Sequence, residues 1–560
     1  MARPDLVLRR LRTPGVAAVL LVTVAVLLLV LLPLLEMVRT AWSERAGTLG
    51  TVLTRPGLGS AVAHSLGLAL AVTLLAVPVG SLLALLLRRP DLPARTFLRI
   101  GVLLPVLVPD FVLAYSWVRA FGPAGFTDDL FRLAWQGIEG PVGVTVVLAV
   151  NAVPLVFLVV SVGLAARAEP ALERAARVAG AGACTVLRTI TLPLLWPALA
   201  SAAVLVFVLT LGSFAIPQVM GSPSGFSTIT TRIYANLARS SEPAAFVEAI
   251  LLALLLVVIA IAVVAPADLL LAPRLQSTRT ATTDPVSTTQ RRRASSRWAA
   301  AGVGGYLLLV VGVPLLALLT TALTKAVGLP PVPANWTVRN FGSVLTTGNG
   351  EALGRSLLLA LLAASVLVVL GGCVAALERT RLGRGTGTLV LLTFVLPGST
   401  LAVGLLITYG RWLGGSLLII LLAYLAKLWA FAHRPISGAL DRLPPDELSA
   451  SRVSGASLLV ALRTVVLRPM APALLAAWLV CFLTALHEVT MSILLYGPGS
   501  ETLAVVVLNS EELGQVGQTS ALSVLLTALL LVPAGICWLA IRRLDLSRAA
   551  PRSRKAVHVG

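Results

Sequence analysis

Charge is scarce in this chain. Of 560 residues only 12% are Asp, Glu, Lys or Arg, and acids are the scarcer sign, 24 against 44 bases. A soluble chain of this length needs far more polar surface to cover its cores, so a soluble globular protein is excluded. Cys184, Cys373, Cys481 and Cys537 stand far apart without CxxC spacing, which indicates neither a disulfide framework nor a metal site. The four histidines (His64, His433, His487, His558) are equally dispersed, and neither HExxH nor GxSxG occurs, so no catalytic residue is assigned. The only lysines are Lys325, Lys427 and Lys555, and none follows a glycine. Without G-x-x-x-x-G-K-[ST] there is no phosphate-cradling loop of that kind, so no cofactor is expected on this chain and ATP is expected to be used by partner subunits.

What the chain has instead is apolar length. Hydrophobic residues make up 57% of it, and its mean hydropathy is +0.94. Apolar runs of about twenty residues, the thickness of a bilayer's hydrocarbon layer, recur throughout. The expected fold is all-α, a polytopic membrane bundle, because helices satisfy their own backbone polar groups in lipid. Spans are expected at 16–38, 61–87, 98–120, 142–164, 191–216, 244–270, 299–324, 355–376, 388–412, 416–437, 471–493 and 520–541.

The net charge of +20 raises nucleic acid as a partner, but its distribution excludes one. Between these spans, 32 of the 44 basic residues fall on one side and about eleven on the other, with Lys427 inside a span. That asymmetry is the positive-inside rule; it predicts a multi-pass plasma-membrane protein with both termini cytoplasmic and lipid around it. The first span follows Arg9, Arg10 and Arg12, and lacks a small-x-small cleavage site, so it reads as a retained signal anchor.

Residues 274–298 are polar, Thr/Ser-rich and basic, the composition of a cytoplasmic linker. They divide a first half, 1–273, from a second, 299–541, with a basic tail at 542–560. The halves repeat. LERAARVAGAGACTVLRTITLPLLWPAL at 172–199 superposes on ELSASRVSGASLLVALRTVVLRPMAPAL at 447–474, pairing Ala175 with Ala450, Arg177 with Arg452 and Gly180 with Gly455. Weaker matches pair Ser65-Leu66 with Ser356-Leu357, and Leu104-Pro105 with Leu396-Pro397. An even number of spans per copy makes the repeat parallel, about an axis along the membrane normal. Both repeated loops, 172–193 and 447–469, then lie on the cytoplasmic side.

In each loop an amphipathic stretch runs into a glycine placed to stop a short helix in the left-handed cap conformation. Glu173, Arg174, Ala175 and Ala176 precede Gly180, with Ile190 and Leu192-Pro193 following. The pattern resembles the EAA loop of ABC-importer permeases. The second copy departs from it at Ser449-Ala450-Ser451 and Leu467-Arg468-Pro469, but keeps the spacing to Gly455. The resemblance implies that Glu173, Arg174, Ala175, Ala176, Gly180, Ala450, Arg452 and Gly455 form two coupling helices. These would dock on two ATP-binding-cassette subunits on the cytoplasmic side, with an extracytoplasmic solute-binding protein opposite.

A single chain with two such halves most resembles the ferric-iron permease family, and 486–503, LHEVTMSILLYGPGSETL, looks like one of its segments. Permeases for thiamine, polyamines, sulfate and aminoethylphosphonate share the architecture. Polar residues within spans are expensive in lipid and so mark a pathway. Asp110, Tyr115, Asn151, Ser213, His487 and Glu488 are the candidates, with Glu248 and Lys427 beside them. The competing roles are capping or bridging of helices beside Pro109 and Pro154 for Asp110 and Asn151, solvation at the interface for Glu488, and snorkelling toward the inner face for Lys427. His487 and Glu488 do not form a metal site if helical, since neighbours on a helix project about 100 degrees apart. A secondary transporter is the rival class, but it leaves the repeated loops without a task.

Overall fold

The structure, a computed structural model, describes residues 22–43, 54–167, 170–276, 293–330, 332–346, 348–379 and 385–549. Residues 1–21, most of the linker and the end of the tail lie outside them. Among the described residues every regular element is helical, and strand pairing is limited to two isolated bridges. The chain is an all-α, multi-pass membrane protein. Ten helices are long and apolar enough to cross a bilayer, or eleven if one sharply bent pair is a single span.

In the first half these are α1 (Val22–Ser43), α2 (Leu58–Leu87), the bent pair α3 (Arg95–Leu107) and α4 (Asp110–Phe121), α5 (Pro141–Arg167), α7 (Ala183–Leu211) and α9 (Pro243–Gln276). The short helices α6 (Pro170–Val178) and α8 (Ile229–Ala238) stand between them. The second half repeats this order. Its long helices are α10 (Ser296–Leu323), α11 (Asn349–Leu377), α12 (Thr386–Val395), α13 (Gly398–Leu413) and α14 (Leu417–Leu440). It continues with α15 (Pro445–Val453), α16 (Leu459–Leu486), α17 (Leu503–Glu512) and α18 (Val516–Ala549).

Four expected spans are interrupted. The one at 98–120 turns through 104° between α3 and the segment that begins with α4, and the one at 388–412 is divided into α12 and α13. In both places the residue before the second helix is an extended proline, Pro109 (φ −55°, ψ 141°) and Pro397 (φ −60°, ψ 143°). Proline has no N–H to continue the ladder and forces its predecessor out of the helical region. The structural pairing is therefore Val108-Pro109-Asp110 with Leu396-Pro397-Gly398; Pro105, which the sequence match sets against Pro397, lies inside α3. The expected spans 191–216 and 471–493 stop early, at Leu211 and Leu486. The linker is shorter than expected, since helix continues to Gln276 and resumes at Arg293. Likewise the helix of α18 runs on to Ala549, through the first residues assigned to the tail.

Duplication is visible in detail. Wide π-helical turns at Leu27–Leu31 and Leu308–Gly312 precede Pro33 and Pro314, and others at Leu187–Thr191 and Leu462–Leu467 precede Pro193 and Pro469. A π turn relieves the clash between a proline ring and the carbonyl four residues back. Ser65 Oγ accepts the Ile229 N–H at 2.8 Å, and Ser356 Oγ accepts the Leu503 N–H at 2.7 Å. In this way α2 caps α8, and α11 caps α17.

The first helix of each half crosses to the other. Trp117 of α4 donates to the Val310 carbonyl of α10 at 3.2 Å, and the Tyr409 hydroxyl of α13 donates to the Leu28 carbonyl of α1 at 2.7 Å. One apolar core, including Val112, Leu148, Leu318, Ala485 and Leu526, runs through both halves.

Candidate functional site

Two exposed elbows interrupt the bundle. Both short helices open on proline, Pro170 in α6 and Pro445 in α15, where a missing N–H costs nothing. Both end in the same cap. Ala181 N–H donates to the Ala176 carbonyl at 2.9 Å, and Ala456 N–H to the Ser451 carbonyl at 3.1 Å. This six-to-one bond needs a left-handed residue between, supplied by Gly180 (φ 88°) and Gly455 (φ 84°). The valines just before the caps, Val178 and Val453, are each 90% exposed. Arg174, Ala175, Arg177 and Ala450 are exposed and Ala176 is half-buried. Arg452 lies on α15, with its side chain outside the described residues. Two pseudo-equivalent knobs, each with an exposed valine before its cap and the first flanked by Arg174 and Arg177, therefore stand clear of the bundle.

They stand at the same end of it. The Glu173 carboxylate of α6 pairs with Arg88, just past α2, at 3.3 Å. The following turn holds Asp91, whose carbonyl accepts from Ser296 Oγ at the start of α10 at 2.7 Å. From there the second half crosses on α10 and returns on α11 to Arg379, which pairs with Asp441 at 2.6 Å immediately before α15. Glu173 also accepts from Thr191 Oγ1 at 3.3 Å. It is turned inward, pinning the elbow to its own half.

The pathway candidates divide into two groups. Asp110, first residue of α4, accepts from Asn151 Nδ2 of α5 at 2.9 Å. His487 is not on a helix as assumed from sequence: it follows α16 at a break, and its Nδ1 is buried without a partner. Ser213 occupies the matching break after α7, its Oγ also buried and unpartnered. The rest have structural partners. Glu488 caps the short helix Thr490–Leu495, accepting the Met491 N–H at 2.9 Å and the Ser492 N–H at 3.2 Å. The Tyr115 hydroxyl donates to the Val516 carbonyl at 3.3 Å. Lys427 donates to the carbonyls of Phe394 (3.3 Å) and Leu396, which α12 leaves free at its end, so it does not reach outward. Glu248 is wholly buried between Arg55 (3.2 Å) and Arg232.

Sequence reasoning missed a charged contact between the halves. Glu512 of α17 accepts from Gln218 at 3.1 Å and Arg239 at 2.8 Å, both of the first half. Neither periodicity nor the repeat signals it, since the two halves carry different residues there. Among the described residues no group of three His, Cys, Asp or Glu side chains could hold a metal ion.

A duplicated membrane bundle with two like elbows at one end defines a transport permease built of two fused halves. The chain belongs to the family of binding-protein-dependent transport system inner membrane components, which it matches twice, over 76–273 and 367–545. It is 24% identical over 505 residues to a probable ABC transporter permease protein, y4fN, of Sinorhizobium fredii, covering 86% of this chain and 87% of the relative. Two other relatives match less than half of this chain but 91% of their own length. A putative 2-aminoethylphosphonate transport system permease protein, PhnV, of Salmonella paratyphi A is 28% identical over 244 residues. A molybdenum transport system permease protein, ModB, of Mycobacterium bovis is 35% identical over 250 residues.

Proposed function

We propose that the chain is the complete membrane pore of an importer whose energy comes from ATP hydrolysed by two separate subunits. The observation that carries this reading is the pair of exposed elbows at one end of the bundle. A permease without a phosphate-cradling loop has to receive its driving force by contact, and two equivalent knobs suit two equivalent motors. The excess of basic residues on the elbow side argues that this side is cytoplasmic in a bacterial inner membrane, with both termini there. The opposite end then receives the substrate from an extracytoplasmic binding protein. The chain acts as a transport subunit and not as an enzyme. Ferric iron is the favoured substrate, on the likeness of residues 486–503 to the ferric-iron permeases. The relatives' printed substrates, 2-aminoethylphosphonate and molybdenum, are the competing assignments.

Affinity purification of the full chain from its native membrane tests the reading. An ATP-binding-cassette subunit is expected at a two-to-one ratio, and its release on changing Val178 and Val453 together to Asp. A chain that never retains such a subunit, under conditions that keep it folded, ends the proposal.

A further inference from the structure

One contact between the halves lies where the two copies nearly meet their own counterparts. Ile229 and Leu503, the residues whose N–H groups Ser65 and Ser356 accept, set the register of α8 on α17. In that register Glu512, the last residue of α17, answers to Ala238, the last of α8, and Arg239 answers to Leu513. Arg239 nonetheless donates to Glu512 Oε1 at 2.8 Å. A residue can touch the counterpart of its own neighbour only where both copies come close to the axis that relates them. The ends of α8 and α17 therefore meet beside that axis, between the halves. Their level in the bundle follows from the path of the chain. α7 and α16 run away from the elbows before α8 and α17 begin, and α9 and α18 start back from Pro243 and Val516, just after Arg239 and Glu512. The contact thus closes the end opposite the elbows.

Its side chains are aimed from below. Gln218 Nε2 donates to the same Glu512 oxygen at 3.1 Å, and Gln218 Oε1 accepts from Ser222 Oγ at 3.2 Å, which turns the amide towards the other half. The Arg239 guanidinium lies 5.5 Å from the centre of the buried Tyr234 ring. Gln218 is buried, whereas the side chains of Arg239 and Glu512 are 54% and 29% exposed. An ion pair so open to water is weakly held. It can part and re-form, whereas separating a deeply buried pair strands both charges. Nor is the contact repeated. The counterparts of Gln218, Arg239 and Glu512 are Ile493, Leu513 and Ala238, all apolar. A single polar tie spans the axis.

We propose that Gln218, Arg239 and Glu512 form a clasp that holds the outer mouth of the pathway shut, and that it parts when ATP draws the motors together. The inference rests on the import reading above. A rocking of the halves that brings the elbows together spreads the far end, and interface ion pairs are the contacts that such a rotation remakes. The clasp sets how readily the open form is reached. Loosened, it lets ATP alone open the mouth, so that hydrolysis no longer waits for the binding protein.

The test uses the full chain purified with its ATPase subunits and placed in lipid nanodiscs. In a chain whose four native cysteines are replaced by serine, Arg239→Cys with Glu512→Cys is treated with a short bifunctional methanethiosulfonate. Cross-linking is expected without nucleotide, and at least fivefold less after trapping with Mg-ATP and vanadate in the presence of the binding protein. Cross-linking that is absent without nucleotide, or equal in the two conditions, overturns the clasp. Hydrolysis gives a second readout. Glu512→Ala and Arg239→Ala are each expected to raise ATP turnover without binding protein at least threefold. The swapped pair, Arg239→Glu with Glu512→Arg, should return it close to the parental rate. Parental turnover in both alanine variants overturns the clasp as well, since a contact that only supports the fold would not restrain hydrolysis. Should an alanine variant fail to accumulate, the cysteine pair decides. Retention of the ATPase subunit on the same preparations reports on the importer reading separately. Its absence sinks that reading and the clasp with it, whereas its presence with an unchanging cross-link sinks only the clasp.

Discussion

Ser65 and Ser356 show how single residues carry the architecture. Each hydroxyl takes up one backbone N–H at the start of a helix that follows a loop, α8 in the first half and α17 in the second. Both serines are buried, at 3% exposure each, so water is a poor substitute. Leaving such an N–H unsatisfied costs about 1–3 kcal/mol. Ser65→Ala and Ser356→Ala are each expected to lower the thermal midpoint of the detergent-purified chain, and Ser→Thr, which keeps the hydroxyl, much less. An unchanged midpoint in both alanine variants would mean that the bonds are dispensable. In the sequence the two serines are legible as a weak repeat, but what they hold lies some 150 residues further on and is not. Glu173 teaches the same lesson with opposite sign. The sequence places it in a coupling-helix pattern beside the exposed Arg174, and tertiary contact with Arg88 and Thr191 turns it inward.

At the scale of elements, helix existence followed from apolar length, and helix continuity did not. Residues 98–120 and 388–412 are apolar enough to cross a bilayer straight, yet each is interrupted at a proline. Pro78, Pro105, Pro154 and Pro197 sit inside helices that continue past them, so proline alone does not predict a break. At Pro109 and Pro397 the difference is made by neighbours: Asn151 holds Asp110 just after one break, and Lys427 takes up the carbonyls exposed before the other. The elbows were more legible, because a left-handed cap is a local demand that glycine meets and other residues meet at a cost of about 1–2 kcal/mol. Replacing Gly180 and Gly455 together by valine should unwind the last turns of α6 and α15. ATP-driven uptake is then expected to fall at least tenfold with the chain still in the membrane. Full uptake in the double variant would exclude a coupling role for the elbows.

The molecule as a whole presents a sidedness that can be measured directly. Cys184 is free and exposed, four residues past Gly180 on the first elbow, whereas Cys481 is buried. A membrane-impermeant maleimide is expected to label Cys184 in inside-out vesicles and to leave it unlabelled in right-side-out ones. The reverse pattern would invert the topology and remove the elbows from reach of cytoplasmic ATPases. The asymmetry between the halves also belongs to this scale. Gln218, Arg239 and Glu512 join the halves at the end away from the elbows, a contact that their pseudo-equivalent residues do not repeat.

The sequence by itself determined that the chain lives in a membrane, that it is made twice over, and that each copy carries one glycine-capped elbow. Those properties depend on apolar length, on residue identity at fixed spacing and on local backbone conformation, all of which are contained in short stretches of chain. Where the helices break, which polar groups remain without partners, and how the two copies differ where they touch were decided only by the tertiary structure. These depend on residues hundreds of positions apart competing for the same hydrogen bonds, a competition whose outcome is set by packing in three dimensions.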